Sequence, residues 1–157
     1  MPGTSQYFAR TRSRSSSCTT TSGTIARLTR YRGNLDVIRS GGGGAWVSTS
    51  DDYGRTWSPA APTEIPCPNS GLDAVRLADG RIVVICNPTH EGRTPLSILA
   101  STDNGETWSW RLDLETAPGE YSYPSIVQAS DGRGHAVYTY RRTQIRHLAL
   151  RPDEIGA

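Results

Sequence analysis

The sequence predicts an all-β chain of repeated four-stranded sheets fanned about an axis, a β-propeller, and three observations predict it. An eight-residue box, Ser-x-Asp-x-Gly-x-Thr-Trp, occurs twice, as Ser50–Trp57 and as Ser101–Trp108. The segment Val75–Arg81 (VRLADGR) recurs as Val127–Arg133 (VQASDGR). The two repeats have nearly the same period, 51 and 52 residues, with several short apolar runs in each. A period near 50 that holds several short strands is the spacing of a propeller blade.

Composition agrees with that class. The chain has 157 residues, 16 of them Gly and 10 Pro, and 35% are hydrophobic, which suits a turn-rich, strand-rich domain. No apolar stretch approaches the roughly 20 residues that span a bilayer, and no apolar run follows the basic N-terminus as in a secretory signal, so no membrane partner is expected and the default location is cytoplasmic. Cys18, Cys67 and Cys86 lack metal-ligand spacing and read as thiols, with Cys86 a small buried apolar group. His90, His135 and His147 show no metal spacing either, and no cofactor is expected. The net charge of +2 is unevenly spread: residues 1–35 hold six arginines and no acid, whereas the remainder holds eleven arginines and fifteen acids. Residues 1–26, rich in Ser, Thr and Arg, read as a disordered tail, and residues 27–157 as a partial propeller. The Arg-Thr-Arg-Ser-Arg run reads as a solvated tail, and no nucleic-acid partner is expected.

One blade threads directly. Its strand a is Asp73–Leu77, and Asp79-Gly80 supplies the left-handed turn of a hairpin. Strand b is Ile82–Asn87, the loop Pro88–Pro95 follows, and strand c is Leu96–Ser101. The second box then turns into strand d, Thr107–Leu112. The next blade repeats with strand a near Ser125–Ala129, strand b at His135–Tyr140 and strand c at Ile145–Leu150. The preceding blade shows only strand b (Asn34–Ser40), strand c (Ala45–Ser50), its box and strand d. The total is about two and a half blades.

The box is turn chemistry. Its Asp and Ser side chains can bond the backbone of their own turn, its Gly takes a left-handed conformation, and its Trp fills space between sheets. A calcium loop fits poorly, because alternating acidic ligands and a terminal Glu are missing. Asp73 reads as a strand-start cap.

These residues resemble the Asp-boxes of the sialidase (neuraminidase) family, bacterial sialidase-like proteins with such repeats. Pro68–Asp73, Asp79-Gly80-Arg81, Asn87-Pro88-Thr89, Gly92–Leu96 and Gly119–Pro124 carry the resemblance over about residues 35–155. The resemblance implies a six-bladed propeller, of which this chain holds an incomplete C-terminal part. It also implies an exo-glycosidase that hydrolyses a terminal sialic acid or related acidic sugar, using three arginines on the carboxylate, a Tyr–Glu nucleophile pair and an Asp acid/base. The chemistry suits those groups: guanidinium forks hold a carboxylate bidentately, and a neutral tyrosine avoids repulsion beside that anion.

Strand order independently assigns ends. The start of strand a, the b–c loop and the d–a link lie at one end of each sheet, and the a–b hairpin and the box at the other. Arg39, Arg93, Asn69, Tyr121, Tyr123, Arg141 and Arg142 all fall at the first end. By motif position Arg93 resembles the third arginine of the triad and Arg39 the second, and Tyr123 resembles the nucleophile. Tyr121 is the fallback, expected to share a strand face with Tyr123 because side chains alternate. Arg141, Arg142 and Asn69 complete the expected substrate-binding set.

The chain departs from the family pattern in three places. The first arginine and the acid/base Asp belong to early blades. No acid precedes Asp36, where the glutamate partner of the tyrosine is expected. Thr139 follows Tyr138 where many relatives have Glu. The chain alone is therefore expected to be catalytically incomplete, with an acidic sugar or sialoglycan as partner and self-association through open blade edges. A non-catalytic glycan- or protein-binding propeller, or a relative acting on another sugar, is the alternative.

Overall fold

The computed structural model describes residues 43–52 and 54–156, together with the strand course alone of Ile25–Leu28 and Asn34–Arg39. Residues 1–24, with Cys18 and nearly all of the expected tail, lie outside the described residues.

Among the described residues, eleven strands form three antiparallel sheets. Sheet 1 runs β1 (Ile25–Leu28), β2 (Asn34–Arg39), β3 (Gly44–Ser50), β4 (Ala61–Pro66). Sheet 2 runs β5 (Asp73–Arg76), β6 (Ile82–Cys86), β7 (Leu96–Ser101), β8 (Trp110–Glu115). Sheet 3 has three strands, β9 (Tyr121–Gln128), β10 (Gly134–Tyr140) and β11 (Gln144–Leu150), and a single 3₁₀ turn at Pro152–Glu154 follows. The first strand of each sheet touches the first strand of the next, β1 against β5 and β5 against β9, so these are the inner strands around the axis. The fold is the β-propeller expected, and it is incomplete.

Sheet 2 is the middle of the sandwich, and its sequence shows why. Every residue of β6 and β7 is buried, as a strand covered on both faces requires. Alternate residues serve opposite neighbours. Ile82, Val84, Cys86 and Leu99 join Ala45, Ile65, Cys67, Leu72 and Trp108 in the core against sheet 1. Val83, Ile85, Leu96, Ile98 and Ala100 join Tyr121, Ile126, Ala136, Tyr138 and Ile155 in the core against sheet 3. Burial pushes the Cys86 thiol up, out of reach of ionisation at neutral pH.

Both boxes are built from their own side chains. Ser101 Oγ donates to Asp103 Oδ1 at 2.7 Å and accepts from the Gly105 amide at 2.8 Å. Thr107 donates to Asp103 through its amide at 2.9 Å and its hydroxyl at 2.5 Å. Ser50, Asp52, Gly54 and Thr56 repeat the pattern. The threonine bonds hold both carboxyls down to about 2. Trp108 fills the cleft between sheets 1 and 2, and its amide donates to Glu64 Oε1 at 2.9 Å.

Three expectations need correction. The outer strand of sheet 2 starts at Trp110, three residues later than expected, because the box residues complete their turn and Trp108 packs instead of pairing. β9 begins at Tyr121, since Tyr121 and Ser122 pair with Tyr140 and Thr139 beyond a bulge. Sheet 1 has an inner strand after all: β1 pairs with β2 from Ile25↔Ile38 to Leu28↔Leu35, overlapping the end of the expected tail. That pairing carries no repeat motif, so only the partner strand reveals it.

At the end that carries the boxes, sheets 2 and 3 are stitched by polar contacts. The Ala78 amide donates to Gln128 Oε1 at 2.7 Å. Arg81 reaches the carbonyls of Pro152 and Gly156 at 2.9 and 3.2 Å, which folds the last described residues back onto sheet 2. Ile155 is thereby fully buried between the two sheets, where Trp108 sits one sheet earlier.

Two outcomes test this account. Ile155→Ala is expected to cost about 2–4 kcal/mol in urea unfolding, as large-to-small changes at closed core sites do. The low carboxyls of Asp52 and Asp103 stabilise the fold above pH ~4, and that contribution is lost as pH falls toward about 2. Asp103→Asn is expected to lower the melting temperature at pH 7 and to flatten its decline between pH 4 and 2, read by circular dichroism.

Candidate functional site

The end of the sheets opposite the boxes is formed by the links before β5 and β9 and the loops after β6 and β10. Asn87, at the end of β6, holds two of these segments together. It is fully buried, and its Nδ2 donates to the carbonyls of Arg93 at 2.9 Å, Pro95 at 2.9 Å and Tyr121 at 3.2 Å. Thr94 Oγ1 adds a bond to the Gly119 carbonyl at 2.6 Å, and the Tyr121 amide donates to the Arg93 carbonyl at 3.3 Å. The loop with Arg93 and the strand with Tyr123 therefore move as one unit.

Those two side chains meet. The Arg93 guanidinium lies 6.0 Å from the centroid of the Tyr123 ring. Arg93 Nη1 is buried with no hydrogen-bond partner, and among the described residues no acid pairs with Arg93. A buried donor of that kind is costly unless something accepts from it. Tyr123 is 72% exposed although it lies within a strand. The Asn69–Gly71 segment borders it: a Cβ on Gly71 would stand 3.6 Å from the Tyr123 Cα.

The backbone is strained here. Asn69, Tyr123, Arg141 and Arg142 all have left-handed φ, at 59°, 52°, 49° and 57°. Side-chain-bearing residues adopt this region at a cost of about 1–2 kcal/mol each, and such outliers gather at functional sites. At Tyr123 the cause is a bulge. Ser122 pairs with Thr139 and Ser125 with Val137, so Tyr123 and Pro124 together oppose Tyr138. Arg141 and Arg142 occupy the two central positions of a tight hairpin closed by the Thr143 amide on the Tyr140 carbonyl at 3.0 Å. That turn favours Asn-Gly, not Arg-Arg.

Tyr121 does not share the face of Tyr123. The bulge breaks the alternation, and Tyr121 is fully buried with its hydroxyl donating to the Ala117 carbonyl at 2.9 Å. Arg142 pairs with Glu120 at 2.8 Å, and Arg141 lies 5.2 Å from the centroid of the Tyr140 ring. Proximity to Tyr121 and Glu120, respectively, raises the affinity of Arg141 and Arg142 for their protons. Arg39 ends β2, opposite Ala45, and its side chain lies outside the described residues. Asp73 caps β5, as expected, through the Ala74 amide, and also accepts from Ser125 Oγ and the Ile126 amide at 2.8 and 2.9 Å, joining two inner strands.

A tyrosine–carboxylate pair does exist, but away from Tyr123. Tyr138 Oη donates to Glu115 Oε1 at 2.6 Å, and Arg146 donates to the same oxygen at 2.6 Å. Tyr138 is 5% exposed, and burial, reinforced by the anionic glutamate, pushes its phenol up to about 12. A phenol held in its neutral form and shut from solvent is a lock between sheets 2 and 3, not a nucleophile. Sequence reading assigns Asn87 no role beyond its place in the Asn87-Pro88-Thr89 motif, and none to Glu115 or Arg146. A buried Asn closing an otherwise apolar strand was the one available signal, for Asn87. Among the described residues no three metal-ligating side chains cluster, and no helix is long and apolar enough to cross a membrane.

A family model described as a BNR repeat-like domain matches residues 16–136, more than half of the chain. No curated protein matches the sequence. Among solved structures, the intramolecular trans-sialidase of Ruminococcus gnavus superposes with a TM-score of 0.73 at 19% identity, covering 86% of this chain and 34% of that one. The NanB sialidase of Streptococcus pneumoniae gives 0.75 at 14% identity, covering 85% and 24%. A Hadza microbial sialidase gives 0.70 at 24% identity, covering 87% and 28%. This chain thus spans between 24% and 34% of the length of each, and at these identities the likeness establishes the fold.

The strained hairpin makes a stability prediction. Replacing Arg141-Arg142 by Asn-Gly removes the left-handed cost at position 142, about 1–2 kcal/mol, and lessens it at position 141, where Asn tolerates that region. It gives up only a solvent-exposed ion pair, which water and salt screen. The double variant is expected to be more stable than the parent in urea unfolding; lower stability would mean that the arginine contacts outweigh the turn.

Proposed function

Because this chain belongs to the BNR repeat-like domain family, we propose that it is part of a sialidase-like exo-glycosidase, and that its mouth takes the carboxylate of a terminal sialic acid or a related acidic sugar. The observation that carries this reading is the buried, unpartnered Nη1 of Arg93 beside the exposed Tyr123 ring. A carboxylate supplies two acceptors to one guanidinium and answers that unmet donor. In this reading Arg93 and Arg39 hold the carboxylate, Asn69, Arg141 and Arg142 border the sugar, and Tyr123 is the nucleophile. Tyr121 serves by packing beneath the mouth.

Binding is separable from turnover. Attack by the Tyr123 hydroxyl on the anomeric carbon requires a base for its proton and an acid for the leaving oxygen. Glu120, the acid nearest in sequence, is held by Arg142. Among the described residues no carboxylate bonds the Tyr123 hydroxyl, which supports the second reading, a propeller that binds an acidic glycan without hydrolysing it. Full activity belongs to an assembly that adds those two groups.

Sialic acid or its 2,3-didehydro analogue is expected to raise the melting temperature of the chain, and a fluorogenic sialoside is expected to show no turnover above background. Arg93→Lys is expected to weaken binding by about 1–3 kcal/mol, since a lysine cannot replace the fork. No thermal shift at saturating ligand, or an unchanged affinity in Arg93→Lys, would overturn the sugar-acid assignment.

A further inference from the structure

The Arg141-Arg142 hairpin is seated on the link before β9. The Arg141 amide donates to the Glu120 carbonyl at 2.7 Å. Its guanidinium lies back against aromatic side chains, 5.2 Å from the Tyr140 centroid and near the Tyr121 hydroxyl. Gly119 makes room for it: a Cβ there would stand 3.2 Å from Arg141 Nε and 3.0 Å from the Tyr121 hydroxyl. Thr94 ties the same Gly119 to the Arg93 loop, since its hydroxyl donates to the Gly119 carbonyl and accepts from the Gly119 amide at 3.2 Å. The hairpin and the Arg93 loop are thus fastened to one link.

Arg142 takes the opposite course and turns outward. Its side chain is 75% exposed, and its Nε lies 2.8 Å from Glu120 Oε2. Ser122 Oγ donates to the other Glu120 oxygen at 3.4 Å, which steadies the carboxylate. The guanidinium is therefore held by one edge, and among the described residues its Nη groups have no partner. The Tyr123 phenol is among the groups that raise the affinity of Arg142 for its proton, so this cation stands close to Tyr123. Arg93 approaches the ring of the same residue.

Nothing in the turn itself calls for arginine. The hairpins at the box end place Gly80 and Gly132 in left-handed backbone, whereas this one places two arginines there. Such a turn favours Asn-Gly. Neither guanidinium is used by a core, and one exposed ion pair is a weak return for the strain. Strain kept beside a mouth, on side chains left turned to solvent, points to a ligand. A guanidinium fork matches an oxyanion in shape and charge.

We propose that Arg142, held by Glu120 and backed by the charge of Arg141, forms a second anion subsite beside Arg93, and that the preferred ligand is an acidic glycan carrying a second anionic group, a carboxylate or a sulfate ester, on the sugar next to its terminal acid. The proposal rests on the sugar-acid reading of the mouth and names the substrate class within it. One carboxylate fills one fork. Arg93 and Arg142 belong to different segments, so the terminal acid answers the first and its neighbour's anion answers the second.

Titration calorimetry on the purified full chain tests it with three ligands: sialyllactose, sialyllactose sulfated on its galactose, and α2,8-linked disialic acid. The sulfated sugar or the disialic acid is expected to bind about three- to tenfold more tightly than sialyllactose. That ratio is expected to shrink at high salt, because the hairpin is exposed. Arg142→Gly suits the left-handed backbone and keeps the turn, so circular dichroism is expected to show an intact fold while the ratio falls to about one. Arg142→Gln, which keeps the length and loses the charge, is expected to do the same. Arg93→Lys is expected to weaken all three ligands alike and to leave the ratio unchanged. A gain confined to disialic acid identifies the carboxylate as the second group, and one confined to the sulfated sugar identifies the sulfate ester; either supports the proposal. Equal affinity of the parent for all three ligands, or a ratio that survives Arg142→Gly, overturns the second subsite and leaves the Arg93 assignment standing. A parent that binds none of the three overturns the sugar-acid reading, and this proposal with it.

Discussion

Burial of both faces of the middle sheet is the constraint on which the rest depends. β6 and β7 have no polar face to give to water, so a sheet must lie on each side. At about 1.5–3 kcal/mol for each fully buried aliphatic side chain, the run Ile82–Cys86 alone outweighs any ion pair in the molecule. The strict division of alternate residues between the two cores sets the spacing of all three sheets. The boxes, the Asp73 link and the Arg81 clasp act on sheets that this burial has already brought together.

The two ends of the sheets are built on different principles. At the box end, Asp and Ser side chains satisfy their own turns, and left-handed backbone falls on glycines and on Asn104. At the other end, left-handed backbone falls on Gly43 and Gly92 but also on Asn69, Tyr123, Arg141 and Arg142, and a buried guanidinium nitrogen lacks an acceptor. Strain and an unmet donor persist there because Asn87 and Thr94 fasten the segments that carry them. If the mouth takes an acidic sugar, as proposed, this fastening lowers the ordering cost of binding.

The same repeat logic sets how the sheets stack. Sheet 2 presents one face to its predecessor and one to its successor. Among the described residues, no strand pairs with the outer edge of β11 in sheet 3. Unpaired strand edges of this kind favour association.

The sequence by itself determined the repeat, the class of fold and the end of the sheets at which the candidate residues gather. Those follow from local chemistry: box turns, Asp-Gly hairpins and apolar runs at a fixed period. Arg93 and Tyr123 could be placed at one mouth from strand order alone, and their side chains do meet. What the tertiary structure decided was non-local. The bulge that buries Tyr121 and exposes Tyr123 arises from pairing with β10, not from the text of β9. β1 exists because β2 offers it an edge. The Asn87 hub, the Glu115–Tyr138–Arg146 lock and the His135–His147 bond each join residues on different strands, and no single-chain periodicity records such partners.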